Sequence, residues 1–434
     1  GVLSVSNTLF EGNGAEVDGT YVDNSRGGAI HLWPLNEMIT ASFDHCDFIG
    51  NTTWNGAGAV YLQNNTDGGN LLDALFTNCS FVQNKTIDGQ GGAVVINNAE
   101  NYGSKDDKCK NIVVTFANSS FLLNGSKSEA GAVFMNGGLK GDVSRFVNCT
   151  FAKNTTQGNA GHGAGYVESI ANDTYNPGLA DRRFYNCFFE QNECPTASNG
   201  AGEYSDVLAY DFLEADHTYV GRMVFTKTTE QDFLDGLAAA GIDVENNFWH
   251  GKLDGNLDGS VEFDLQLTED ALNGFDYSGG RFVFVTLDEG SNYLTAGDTK
   301  YLTNAPGTIT AQNGKEFTLQ GYDISVSDQM GFARGEGVCA VGAMEATTQQ
   351  LDEYYDGREF PYESGEGDGI EAVGEDNGSI KVKAGIVTAP GLDVTVYSIS
   401  GSAVASGKDA VNIAGLSSGV YVVKAGKSSL KVVK

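Results

Sequence analysis

The chain has few prolines, few basic residues and no long apolar segment, and each shortage excludes a class of protein. Of its 434 residues only 6 are Pro and 26 are Lys or Arg, whereas 57 are Asp or Glu, which gives a formal charge of −31. Because a surface this acidic repels phosphates, we expect neither nucleic acid nor anionic lipid as a partner. No run of about 18 apolar residues occurs, so we expect no transmembrane helix. No signal peptide is present and Gly1 stands in mid-pattern, so we expect a fragment edge or a processed end there.

Glycine, by contrast, is abundant, at 58 residues, and aromatic residues make up 10% of the chain. This composition suits an all-β chain with many tight bends and argues against a disordered one. The length is too great for one ordinary core, so we expect two to four domains.

A motif ending in Phe-x-x-Asn recurs six times in the first half of the chain. Its Phe residues are Phe10, Phe48, Phe81, Phe121, Phe151 and Phe189, and its Asn residues are Asn13, Asn51, Asn84, Asn124, Asn154 and Asn192. A Gly leading into an apolar pair follows each copy, and a stretch alternating with the period of a strand, such as Ile39/Ala41/Phe43, precedes most copies. Three short strands per repeat describe one coil of a solenoid, so we predict a right-handed three-sided parallel β-helix over residues 1–205.

Stacked coils place equivalent residues about 4.8 Å apart, so each repeat position becomes a column. We expect the Phe column to point inward and the Asn columns to lie at corners, where Asn tolerates left-handed backbone. A small residue two positions before each Phe also points inward. Four of these small residues are Cys46, Cys79, Cys149 and Cys187. Neighbouring coils permit two disulfides, but Thr8 and Ser119 occupy the same position, so free stacked thiols are favoured.

The pairing of Phe-x-x-Asn with segments such as Gly28-Ala29-Ile30 and Gly58-Ala59-Val60 resembles the repeats of polymorphic outer-membrane proteins and related adhesin-like β-helix proteins. The resemblance covers roughly residues 1–205. It implies surface display and adhesion without catalysis, with a glycan or a host surface as the ligand.

The rest of the chain divides by composition. Residues 206–345 contain strand patterns and a short helical stretch from Thr229, and we expect a β-rich cap or sandwich there. Residues 346–378 hold ten acids and one base, which is typical of an acidic linker. Residues 379–434 alternate as strands and are rich in Lys, which predicts a small C-terminal β-sandwich.

This last module resembles the C-terminal sorting domain of type IX secretion substrates. The resemblance depends on Val396-Tyr397-Ser398-Ile399-Ser400-Gly401, on Leu416-Ser417-Ser418-Gly419-Val420-Tyr421 and on the basic end Lys431-Val432-Val433-Lys434. It implies that secretion machinery recognises this domain and that the protein reaches the cell surface or the exterior of a Gram-negative bacterium. An ordinary immunoglobulin-like end domain is the alternative.

Outward-facing aromatic residues form the candidate ligand site. Tyr61 and Phe134 stand three residues after Gly58 and Gly131, which turns both outward, and Trp33 lies beside the top of this column. Aromatic rings on a rigid ladder can stack on sugar rings, so we predict ligand binding by Trp33, Tyr61 and Phe134. The alternative is that long insertions after these strands cover the column.

Asp254, Asn256 and Asp258 occupy the ligand positions at the start of a calcium loop. The twelfth position of that loop is Leu265 instead of the bidentate Glu. A weak extracellular Ca²⁺ site and a plain hairpin turn both fit this segment, and we expect no other cofactor.

A catalytic function is the second hypothesis, because parallel β-helices also serve as scaffolds for a polysaccharide lyase or a glycoside hydrolase. Asp67, Asp107 and His162 resemble residues of such enzymes. They fall at different corners of the repeat, whereas acid and base must meet at one place. We therefore expect an exported, adhesin-like binding protein that is not an enzyme.

Overall fold

The fold is described from a computed structural model of the whole chain. The described residues are 1–14, 16–17, 20–21, 25–35, 37–64, 70–97, 111–136, 143–157, 165–169, 181–194, 206–209, 214–221, 223–225, 230–243, 248–249, 263–265, 285–287, 292–310, 316–329, 331–345, 347, 350, 371–373, 381–383, 386–398, 403–413, 416, 420–426 and 428–433. The chain forms two compact units, residues 1–356 and 357–434.

The first unit is built from coils of short parallel strands. The first coil has β1 (Val2–Ser6), β2 (Leu9–Glu11), the hairpin β3 (Glu16–Val17) and β4 (Thr20–Tyr21), and β5 (Ile30–Leu32). The second has β6 (Ile39–Asp44), β7 (Asp47–Ile49), β8 (Thr52–Thr53) and β9 (Val60–Gln63). The third has β10 (Leu71–Thr77), β11 (Ser80–Val82), β12 (Lys85–Thr86) and β13 (Val94–Asn97). The fourth has β14 (Asn111–Ala117), β15 (Ser120–Leu122), β16 (Gly125–Ser126) and β17 (Val133–Asn136).

The fifth coil also has four strands, and the sixth and seventh have three each in the described residues. The fifth has β18 (Val143–Val147), β19 (Thr150–Ala152), β20 (Thr155–Thr156) and β21 (Tyr166–Ser169). The sixth has β22 (Asp181–Tyr185), β23 (Phe188–Glu190) and β24 (Val207–Ala209), and the seventh has β25 (Glu214–Asp216), β26 (Tyr219–Val220) and β27 (Met223–Phe225). Helix α1 (Glu230–Ala239) follows, as the sequence predicted, and then β28 (Phe248–Trp249).

These strands form three long parallel sheets and one short one. Sheet 1 has the order β1-β6-β10-β14-β18-β22-β25, sheet 2 the order β2-β7-β11-β15-β19-β23-β26-β28, sheet 3 the order β5-β9-β13-β17-β21-β24-β27, and the short sheet the order β8-β12-β16-β20. The predicted parallel β-helix is thus confirmed. Its parallel strands continue past residue 205 to β28, so the expected boundary falls inside this run of coils.

Stacked phenylalanines fill the core. The predicted column from Phe10 to Phe189 lies inward, and within it the rings of Phe48 and Phe81 are nearly parallel, 4.8 Å between centroids. A second column on sheet 1 stacks beside it, with Phe43 and Phe76 4.7 Å apart. Because in-register pairing repeats every ring at the strand spacing, each ring packs against one above and one below.

The Asn residues of the Phe-x-x-Asn motif form an internal ladder of side-chain amides. In each step one Nδ2 donates to the Oδ1 of the next coil, as from Asn51 to Asn84 at 2.9 Å and from Asn84 to Asn124 at 3.0 Å. The same Nδ2 also donates to a Phe carbonyl, so these fully buried amides have their polar atoms paired. A second corner column is formed by the residue directly before the small inward residue of each repeat. It has left-handed backbone as predicted, for example φ 55° at Asn78 and 53° at His45.

The small inward column shares one hydrogen bond. Each side chain donates to the carbonyl two residues earlier, and the donors are Thr8, Cys46, Cys79, Ser119, Cys149, Cys187 and Thr218. A hydroxyl and a thiol can both make this bond, which explains why Ser, Thr and Cys alternate here. All four cysteines of the column are free and buried, so the prediction of stacked thiols is confirmed.

The described residues 292–310, 316–329, 331–345 and 347, which we call the strap, lie along the side of the solenoid. It contains 3-10 turns at Asn292–Thr295 and Thr299–Tyr301, and β31 (Thr303–Asn304), β32 (Thr308–Thr310), β33 (Glu316–Thr318) and β34 (Tyr322–Asp323). It follows the antiparallel pair β29 (Phe263–Leu265) and β30 (Val285–Leu287). Where a cap or sandwich was expected, the strap therefore packs over the outer faces of sheets 1 and 2.

Apolar and polar contacts alternate along the strap. Leu302, Tyr322 and Ile324 pack on outward residues of sheet 1. Beyond Ile324 the corner amides donate to the strap backbone, as in Asn118 Nδ2 to Ser327 O at 2.9 Å and Asn148 Nδ2 to Ala340 O at 3.0 Å. The corner column thus both turns the chain and attaches the strap.

The second unit is an antiparallel sheet. Its strands are β35 (Glu371–Val373), β36 (Lys381–Lys383), β37 (Ile386–Ser398), β38 (Ala403–Asn412), β39 (Val420–Ala425) and β40 (Ser428–Val433), with the order β35-β40-β39-β37-β36 and β38 also paired with β37. Alternate residues, among them Val394, Val396 and Val423, are fully buried in a separate core. The period-two pattern predicted from the sequence accounts for this face.

Candidate functional site

The outward aromatic column of sheet 3 has the predicted register but not the predicted exposure. His31, Tyr61, Val95 and Phe134 are paired in one row across the sheet. Tyr61, however, is only 5% exposed and Phe134 only 1%. The expectation of an accessible stripe is therefore wrong at these two residues, because a buried ring presents no face to a sugar.

The turns that precede the strands cover this column. Ala57 and Ala130, both with left-handed backbone, pack with Tyr61, Val95 and Phe134 into one buried cluster. Glycine permits the close approach, since a Cβ on Gly56 would lie 3.0 Å from Tyr61 Cε2 and one on Gly91 would lie 2.6 Å from Val95 Cγ2. The Gly-rich motif that marks each repeat is thus the signal that these outward rings are covered.

Exposed side chains lie at and beside the first row of the column. Trp33 is 40% exposed and Leu35 53% exposed, and His31 and Arg26 are also exposed. The His31 and Trp33 rings are nearly parallel, with centroids 6.0 Å apart and 10° between planes. We call Arg26, His31, Trp33 and Leu35 the Trp33 patch. Of the three predicted ligand-binding aromatics, only Trp33 is available to a ligand.

Buried neighbours hold the patch in place. The rings of Tyr61 and His31 meet edge-on, with 5.1 Å between their centroids. The Arg26 guanidinium lies over the face of the Tyr61 ring, 5.3 Å from its centroid. Tyr61 is itself fixed, since its hydroxyl accepts from Asn97 Nδ2 at 2.6 Å. Tyr61 is thus a support beneath the patch instead of a binding surface.

His31 also has a polar anchor. Its Nε2 donates to Oε1 of buried Gln63 at 3.1 Å. Although the His31 side chain is exposed at its outer edge, the packed Trp33 and Tyr61 rings partly desolvate the imidazole, which lowers its pKa; the Gln63 hydrogen bond acts in the opposite direction, and the charge of Arg26 lowers the pKa further. At neutral pH the patch therefore carries one cation, Arg26, and a neutral imidazole.

Arg26 was missed by sequence reasoning. It precedes the first Gly-Gly-Ala turn, where it is one of only 26 basic residues in the chain. That position puts the guanidinium directly over the next coil's tyrosine. The position of Arg26 directly before the Gly-Gly-Ala motif is the sequence feature that could have identified it.

The proposed calcium ligands Asp254, Asn256 and Asp258 lie outside the described residues, as do Asp67, Asp107 and His162. Within the described ranges no group of three or more His, Cys, Asp or Glu side chains is arranged to hold a metal ion.

Two carboxylates do meet near the end of the solenoid. A Cβ on Gly221 would lie 2.7 Å from Asp206 Oδ2 and 2.8 Å from Glu190 Oε2. Both carboxylates have structural partners, because Tyr219 donates to Glu190 at 2.6 Å and Asn192 donates to Asp206. Burial raises the pKa of Glu190. We assign this pair to the packing of the last coils.

Comparisons with known proteins give no relative. No protein-family model, no curated protein and no solved structure matches the chain. In the part of the chain that the structure describes, no helix is long and apolar enough to cross a membrane.

Proposed function

We propose that this chain is an exported, non-catalytic binding protein that holds a saccharide of a glycan or host surface at the Trp33 patch. The observation that carries the proposal is Trp33 itself, a 40% exposed indole on the rim of a rigid solenoid. The apolar face of a sugar ring packs on such a ring, and polar groups beside it fix the sugar's hydroxyls. Arg26 and His31 are the polar groups within the patch.

Rigidity supports this assignment. Trp33 follows directly on β5, which pairs in register with β9. The neighbouring His31 ring is held by Gln63 and Tyr61 from the next coil. A site whose side chains are already ordered loses little conformational entropy on binding.

Binding is tested on a glycan array with the full chain and two variants. Trp33→Ala removes the exposed indole, whereas Val326→Ala removes a still more exposed apolar side chain, 78% accessible, on the strap. We expect saccharide signals from the native chain and from Val326→Ala, and their loss in Trp33→Ala. Equal signals from all three chains would contradict the site, and the absence of any signal would contradict the glycan assignment.

The same saccharides separate binding from catalysis. After prolonged incubation with the protein, mass spectrometry should find the bound saccharide intact. Shortened chains would instead favour the polysaccharide lyase or glycoside hydrolase alternative.

We further propose that the C-terminal unit directs export through type IX secretion machinery to the cell surface or the exterior of a Gram-negative bacterium. Support comes from its compact antiparallel sheet with a core of its own and from the Lys-rich strand motifs described above. Deleting residues 378–434 should leave the β-helix folded but trapped in the periplasm. Unchanged surface display after this deletion would overturn the sorting role.

A further inference from the structure

We propose that the Trp33 patch selects acidic saccharides, with Arg26 and His31 reading the carboxylate of a uronic acid unit. This inference rests on the proposed saccharide binding and adds the substrate class. The charge near the indole differs in sign from the charge of the whole chain. The chain as a whole carries −31, yet the imidazole stacked on the exposed indole is close enough to the Arg26 guanidinium to feel its charge, and that guanidinium lies over the Tyr61 ring.

Arg26 has the geometry of a carboxylate receptor. Its guanidinium carbon lies 5.3 Å from the centroid of the buried Tyr61 ring, which orients the planar group by a cation–π contact. Arg26 is exposed, and no carboxylate within the described part of the chain forms an ion pair with it. A guanidinium can give two parallel hydrogen bonds to one carboxylate, a match that a neutral hydroxyl cannot make.

His31 adds a charge that appears only with an anionic ligand or at low pH. The groups that act on it are Gln63, Trp33, Tyr61 and Arg26. Burial and Arg26 keep the imidazole neutral near pH 7, and an incoming carboxylate favours its protonated form. Binding of an acidic sugar therefore takes up a proton and strengthens as the pH falls through the pKa of His31, whereas binding of a neutral sugar does not.

The net negative charge of the chain confines this selection to short range. At a distance the net charge repels a polyanion, so the cationic pair acts only once the sugar has reached the indole. We therefore expect added salt to change the affinity for the acidic sugar, because its contacts with the patch are ionic. The affinity for the neutral sugar should change little with salt.

The experiment compares an oligoglucuronate with its methyl ester, in which a methyl group on each carboxyl removes the negative charge. By calorimetry the full chain should bind the acid at least about tenfold more tightly than the ester, the value of one good charge-assisted pair. Arg26→Gln should reduce the ratio of acid affinity to ester affinity to about one, whatever it does to the affinity for the ester, and Arg26→Lys should restore part of that ratio. His31→Gln should remove the gain in acid affinity between about pH 7.5 and 5.5.

The outcomes separate this inference from the proposed function. Equal binding of acid and ester, both lost in Trp33→Ala, would overturn the acidic selectivity and leave saccharide binding standing. Binding of neither probe would count against both. Melting temperatures equal to the native value in Arg26→Gln and His31→Gln would show that a lost preference is not a lost fold.

Discussion

Asn192 and Asp206 form the last step of the internal amide ladder, with Asn192 Nδ2 donating to Asp206 Oδ1 at 2.5 Å. The Asn192 backbone N–H donates to the same oxygen at 3.1 Å. Every earlier step offers its partner an amide, but Asp206 offers a carboxylate, and it is fully buried. A carboxylate fits at this last step because the Asp206 side chain accepts hydrogen bonds from Asn192 and does not have to donate one to a further coil.

This asymmetry gives the first prediction. Within the ladder, Asn84 must donate through Nδ2 to Phe48 O and Asn124 Oδ1. Asn84→Asp would turn a negative oxygen toward two acceptors in a site without solvent, so we expect a loss of about 3 kcal/mol or more in the free energy of unfolding. Asp206→Asn keeps the accepting oxygen and should cost clearly less. Urea denaturation of both variants checks this, and equal losses would contradict the ladder's direction.

The columns and the coil were predictable because a solenoid repeats its environment. A Phe or Asn at one repeat position meets the same residue above and below, so spacing alone identified the Phe10 to Phe189 column and the Asn ladder. The short sheet of β8, β12, β16 and β20 was not foreseen, since strands of two residues leave no periodic pattern.

The candidate site was predicted only in part, for a physical reason. Register fixed which way Tyr61 and Phe134 point, but exposure depends on what the turns before the strand do. Left-handed Ala57 and Ala130 fold those turns back over the column, a tertiary effect that spacing does not encode. Trp33, beside the first row of the column, is 40% exposed.

The second prediction separates covered rings from the exposed one. Phe134→Ala should destabilise the protein by about 3–5 kcal/mol, since it leaves a cavity beneath the turns. Trp33→Ala, at a site 40% exposed, should change the melting temperature far less. Thermal melts of the two variants side by side check this. Comparable drops would mean that Trp33 is a packing residue and would remove the basis of the binding site.

The third prediction concerns the Cys column. Cys79 Sγ donates to Thr77 O at 3.2 Å and to Phe43 O at 3.5 Å, so the position requires a small donor. Cys79→Ser should be tolerated within about 1 kcal/mol, as the hydroxyl makes the same bond, whereas Cys79→Ala leaves two carbonyls without it and should cost about 1–3 kcal/mol. Chemical denaturation ranks the two variants.

A thiol titration completes the test of the column. The described part of the chain contains six free cysteines. The unfolded, unreduced protein should therefore show at least six reactive thiols by this count. Fewer than four would mean that the stacked pairs are disulfides.

The fourth prediction concerns the attachment of the strap under acid. Asp216, whose side chain is 3% exposed, accepts from Tyr301 at 2.5 Å and from Lys300 at 3.1 Å. Burial tends to raise its pKa, but hydrogen bonds from His217, Tyr301 and Lys300 prevail and hold the pKa well below the usual range. The stability from this carboxylate is therefore fully present above about pH 4, its unfolded pKa, and is lost as the pH falls toward the folded value.

Asp216→Asn should accordingly cost about 1–3 kcal/mol at neutral pH, and its difference from the native chain should shrink below about pH 4. Glu336→Gln, at an exposed position of the strap, is the matched control and should follow the native curve. Urea midpoints across the pH range give the measurement. A difference that stays constant with pH would show that Asp216 contributes by packing alone.

The central claim, that Trp33 is the surface on which the ligand lies, is tested most directly by its own fluorescence. With Trp54 and Trp249 replaced by Phe, Trp33 is the only remaining tryptophan of the three in the sequence. Its indole is partly in water, so a sugar stacked on it excludes solvent and should shift the emission to shorter wavelength in a saturable way, with the dissociation constant found by calorimetry. A saccharide that binds by calorimetry while the Trp33 emission stays unchanged would contradict the account.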